Sequence, residues 1–139
     1  MTQVHQNLFC IKSNHHLKFN ILNIEELREY CLSKRATSES FPFDEDTLVF
    51  KVAGKMFCLT SLSEPTSINL KCDPEKAIML REEYSIVTPG YHMNKKMWNT
   101  VKLDSTVSRK KICEWIDHSY DEVVKKLTKK EREKVVSGG

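Results

Sequence analysis

The sequence predicts an α+β fold, a two-layer sandwich in which a small antiparallel sheet carries helices packed on one face. Three observations carry that prediction. Two β-rich runs in "TLVFKVAGKMFCLTSL" flank Ala53-Gly54, a composition suited to a tight hairpin turn. Two other segments repeat apolar residues at helical spacing, and a third opens with an Asp-Pro helix start. Along the chain these elements follow the order α-β-β-β-α-β-α, which gathers the helices on one side of antiparallel strands.

The first helix is expected in "NIEELREYCLS". Asn23 suits the N-cap, Glu25 and Glu26 suit the first turn, and Ile24, Leu27 and Cys31 share one face. The hairpin follows, then a short strand in "SINLKC" after Pro65. "DPEKAIMLREEY" opens a second helix, with Asp73 as N-cap and Pro74 at the first helical position, where its missing N–H costs nothing. A strand is expected over 100–103 and a last helix over 107–127, where Ile112, Ile116, Tyr120, Val123 and Leu127 recur at helical spacing. Residues 1–20 lack periodicity and read as a loosely ordered extension. Residues 21–128 form the domain, and 129–139 read as a charged tail that frays.

Composition narrows the function classes. At 139 residues, with 40% hydrophobic and 29% charged residues, the chain has room for one domain with a real core. No window approaches the roughly eighteen apolar residues of a membrane span, and the first ten residues have neither the cations nor the apolar block of a secretory signal. Five scattered cysteines without a C-x-x-C point to free thiols in a reducing cytoplasm and to no metal site. The formal charge of +3 is polarised. Residues 95–111 hold six cations against Asp104 alone, and 125–139 hold six cations against two anions. Residues 21–124 as a whole are at −3, which counts against tight, sequence-independent DNA binding.

"FPFDEDTLVFKVAGKMFCL", "INLKCDPEKAIMLREEY", "TPGYHMNKKMWNTV" and "DHSYDEVVKKL" resemble successive blocks of the MmcQ/YjbR family, with "PGYHMNKKMWNTV" the most specific. The resemblance covers residues 24–127. It implies an α+β fold similar to frataxin-like and secretion-chaperone-like sandwiches, and DNA binding as the function.

The residues of 92–111 suit that function. Lys95, Lys96, Lys102, Lys110 and Lys111 supply charge for phosphates, and Arg109 adds to the positive potential at a helix N-terminus. Asn94 and Asn99 suit orienting contacts, while His92, Tyr91 and Trp98 offer flat surfaces. Trp98 is expected to be half core anchor and half platform. The competing reading makes Trp98 and Tyr91 plain core, with Tyr91 under the Pro89-Gly90 turn.

No catalytic motif appears, and the chain is expected not to be an enzyme. Cys72, near a helix N-terminus, is the best nucleophile candidate and a weak one. His118 reads as a packed histidine. The acidic run Asp44-Glu45-Asp46 reads as a solvated turn, and no cofactor is implied. The other class of function left open is a protein-interaction or homodimeric adaptor module using the exposed sheet face.

Overall fold

The structure, a computed structural model, describes residues 21–137; the expected extension over 1–20 lies outside them. Six strands form one open antiparallel sheet: β1 (Thr37–Ser40), β2 (Thr47–Val52), β3 (Lys55–Ser61), β4 (Ser67–Lys71), β5 (Val87–Pro89) and β6 (Trp98–Lys102). Their spatial order is β1-β2-β3-β4-β6-β5. The helices are α1 (Ile24–Leu32), α2 (Pro74–Glu83), α3 (Arg109–Lys125) and α4 (Lys129–Val136). No helix among the described residues is long and apolar enough to cross a membrane.

Local chemistry places the elements as expected where the signals are strong. Asn23 and Glu26 cap α1 reciprocally: each side chain accepts the other's backbone N–H, at 2.8 and 3.2 Å. Asp73 accepts from Lys76 N–H at the start of α2. Ala53 and Gly54 both have positive φ, 48° and 82°, the left-handed pair that a two-residue hairpin requires.

One large core lies between the sheet and the helices. Leu27, Tyr30 and Cys31 of α1 meet Phe50, Phe57 and Ile68 from the sheet and Ile112, Cys113 and Ile116 from α3. The expectation of free thiols holds for Cys31, Cys58 and Cys72. It does not hold for Cys113, which is disulfide-bonded.

A smaller cluster occupies the opposite face. Val49, Leu59 and Trp98 pack there with Met56, Met93 and Met97. The segment linking β5 to β6 therefore folds back over part of the second face that the sequence left exposed or for a second subunit.

Three elements depart from expectation. β1 adds an edge strand in "TSES", which has no apolar alternation because it is only half buried. β5 adds a three-residue strand beside β6. The expected fraying tail is instead α4, capped by a reciprocal Thr128–Glu131 box.

Candidate functional site: a basic pocket at one end of the sheet

The β5–β6 connection is built by its own polar residues. Asn94 Oδ1 accepts from Lys96 N–H at 2.9 Å, and the Asn94 carbonyl accepts from the backbone of Met97 and Trp98. Gly90 N–H donates to the Trp98 carbonyl at 2.8 Å, and Lys95 Nζ donates back to the Gly90 carbonyl at 3.0 Å. Gly90 is needed for space: a Cβ there would meet Trp98 Cβ at 2.8 Å and the Trp98 carbonyl at 3.0 Å. Arg81 of α2 clamps the turn from the helix side. Its Nε donates to Asn99 Oδ1 at 2.7 Å, and its Nη2 donates to the carbonyls of Lys95 and Trp98.

That construction reassigns several expected site residues. Asn94 is a turn builder. Asn99 is 2% exposed, held by Arg81 and facing the Ala77 carbonyl, so it reaches no phosphate. Trp98 is 7% exposed, more core than platform. Arg109 is fully buried: it pairs with Glu26 and donates to the Ile21 carbonyl at 3.0 Å, fastening α3 to α1. Tyr91 departs the other way, 70% exposed and tilted against His92, which holds a left-handed φ of 58°.

Nor do the lysines of 92–111 converge. Lys96 and Lys102 lie at opposite ends of β6, and both are exposed. Lys110 and Lys111 sit at the start of α3. Lys111 pairs with Glu114 at 3.2 Å and lines a groove with Glu75, Glu83 and Glu114, acidic surroundings that repel a phosphate.

What converges is a different set. Lys71 at the end of β4 stands opposite Trp98 in the β4–β6 ladder. Lys55 enters from the start of β3, and Lys126 from the end of α3. The three lysines, with Met56, Trp98, Val123 and Leu127, line a pocket of about 280 Å³. Lys71 and Lys126 carry no salt bridge among the described residues; Lys55 approaches Glu131 at 3.9 Å, an exposed and weak pair. Lys126 caps a helix C-terminus, where a cation is favourable for structural reasons. Lys71 has no such reason. Burial, then Lys126, lower its pKa against a smaller opposing pull from Glu122, and a bound anion would offset the repulsion from Lys126. The sequence reading missed Lys55, Lys71 and Lys126 because strand register, not spacing along the chain, brings them together.

The weaker candidates for chemistry are occupied or inert. Burial pushes the Cys72 thiol up to about 11, leaving no useful thiolate at neutral pH. His118 Nε2 accepts the Asp73 N–H at 3.2 Å, so this packed histidine steadies the start of α2. Asp44 accepts from the backbone of Asp46 and Thr47, and Asp46 accepts from Ser61 and Ser63. Asp44 thus spends its carboxylate within its own turn, and Asp46 spends its own on the end of β3 and the loop that follows.

The YjbR family model matches residues 32–122. The chain is 38% identical over 99 residues to the uncharacterized protein YbdF of Escherichia coli O157:H7, covering 70% of this chain and 81% of that protein. It is 32% identical over 116 residues to the uncharacterized protein YjbR of Escherichia coli strain K12, covering 83% and 98%. Among solved structures, a Deinococcus radiodurans protein with a DUF419 domain superposes with a TM-score of 0.78 at 40% identity, covering 86% of this chain and 91% of that one. A Pseudomonas syringae protein gives a TM-score of 0.62 at 27% identity, covering 72% and 97%. The chain, with this sheet and these helices, belongs to the YjbR family.

Proposed function

We propose that the chain is a non-enzymatic DNA-binding protein that holds phosphates in the pocket of Lys55, Lys71 and Lys126. The observation that carries this reading is Lys71: a lysine without a salt bridge among the described residues, partly desolvated, in one pocket with two further lysines and an indole. Phosphate contacts supply most of the affinity of a sequence-independent nucleic-acid protein, and three cations in one pocket fit a small number of them. Cys72, high in pKa, and His118, engaged by a backbone amide, support binding rather than catalysis.

Fluorescence anisotropy of a labelled oligonucleotide at two salt concentrations tests the reading. Three phosphate contacts give a slope of log K against log salt of roughly −2 to −3. Lys71→Ala with Lys126→Ala flattens it by roughly 1.5 to 2. An unchanged slope rejects the pocket.

A second reading rests on α2, where Ile78 and Met79 are 54% and 61% exposed on adjacent positions. Two uncovered apolar side chains suit a protein partner. Saturable, salt-insensitive self-association or peptide binding lost in Ile78→Ser with Met79→Ser would favour it.

A further inference from the structure

The second face of the sheet carries another groove, of about 490 Å³, within the range of roughly 300–1,000 Å³ common to ligand clefts. Its floor is Leu59, Asn69 and Thr100, and its rim is Phe43, Tyr91 and His92. Phe43 is 63% and Tyr91 70% exposed, an unfavourable use of two large rings unless something covers them. His92 keeps its ring against Tyr91, centroids 4.0 Å apart, at the cost of a left-handed backbone that non-glycine residues rarely adopt. Thr100 Oγ1 donates to Asn69 Oδ1 at 2.5 Å and accepts from Tyr91 N–H at 3.0 Å. The Thr100 hydroxyl thus spends its proton on the floor and a lone pair on the rim. Asn69 Nδ2 is left with no acceptor among the described residues.

We infer that this groove takes an unpaired base, so that the DNA bound is single-stranded. The inference rests on the phosphate-pocket reading and extends it. Stacking needs exposed rings, which Phe43 and Tyr91 supply, and a base edge needs a fixed polar partner, which the Asn69 amide supplies. Charge decides between a base and an apolar side chain of a peptide. The same face presents Lys71 one row to one side of Asn69 and Thr100, and Lys102 one row to the other side. The two lysines stand about 13 Å apart by strand rise. Neither has a salt bridge among the described residues, and each stands one same-face row beyond the groove floor, where it can meet the backbone of a strand whose base enters the groove. Asp44, the carboxylate among the groove's lining residues, accepts from the backbone N–H groups of Asp46 and Thr47. A paired base inside a duplex cannot reach such a recess without leaving its stack.

Anisotropy of labelled oligothymidine and of a duplex of equal length tests this with the full chain. The inference expects the single strand to bind at least about tenfold more tightly than the duplex. Tyr91→Ala and Phe43→Ala each weaken the single strand by about tenfold, while leaving the salt slope and the urea midpoint as in the wild type. Equal binding of both strands, unmoved by Tyr91→Ala and Phe43→Ala but weakened by Lys71→Ala with Lys126→Ala, overturns the base site and leaves the phosphate pocket standing. Absence of saturable binding to either probe overturns both.

Discussion

Lys71 and Trp98 face each other across the β4–β6 ladder, so an ammonium group with no salt bridge among the described residues and a buried indole share the wall of one pocket. Aligned pairs of this kind are set by register. The basic triplet at the start of α3 belongs elsewhere, its Lys111 in an acid-lined groove. Lys110→Ala with Lys111→Ala should accordingly leave both oligonucleotide affinity and its salt slope unchanged. A slope flattened by about 2 would return the site to the helix start.

Arg109 should behave as a structural cation. Its side chain is fully buried and pairs with Glu26, so Arg109→Met leaves a carboxylate without its partner and costs about 3 kcal/mol in urea unfolding. The folded variant should bind oligonucleotide as the wild type does. Weakened binding at unchanged stability would contradict the assignment.

The β5–β6 turn depends on the clamp behind it. Arg81→Met strands the buried Asn99 amide and should cost about 2 kcal/mol. Gly90→Ala should cost about 1–3 kcal/mol, because the added methyl meets Trp98 Cβ at 2.8 Å and the backbone must shift. Both changes displace Trp98 and should weaken oligonucleotide binding as well. Stability lost at full affinity would separate the turn from the site.

Stability should fall in mild acid through His118. Burial, then Lys76, hold its imidazole below the ordinary 6.5. Its Nε2 accepts a hydrogen bond that only the neutral ring accepts. As pH drops below about 6.5 the unfolded chain takes up a proton that the folded chain resists, so a contribution present above that pH is progressively lost. The urea midpoint should be lower at about pH 5.5 than at about pH 7.5, and His118→Gln should shrink that difference. An equal difference in wild type and variant would clear His118 of the effect.

Much of the fold is legible along the chain because caps and turns are local. Asn23, Asp73 and Ala53-Gly54 each announce an element by residue type and spacing. Other elements had no such signal or a quiet one. β1 is a half-buried edge strand without alternation, and α4 is polar nearly all round, touching the core through Val135. Its Thr128-x-x-Glu131 box was nonetheless readable. The site was less legible. Arg109 and Asn99 are buried only because Glu26 and Arg81 reach them from other elements, and polar residues are otherwise expected outside. Lys55, Lys71 and Lys126 meet through sheet register and the length of α3, neither of which composition reveals.

The most direct test of the central claim is an NMR titration of ¹⁵N-labelled full chain with unlabelled oligonucleotide. The phosphate pocket predicts saturable shifts of the Trp98 indole N–H and of the Lys55, Lys71 and Lys126 amides, with Arg109, Lys110 and Lys111 unmoved. Shifts centred on the start of α3, or none at any residue, would contradict it.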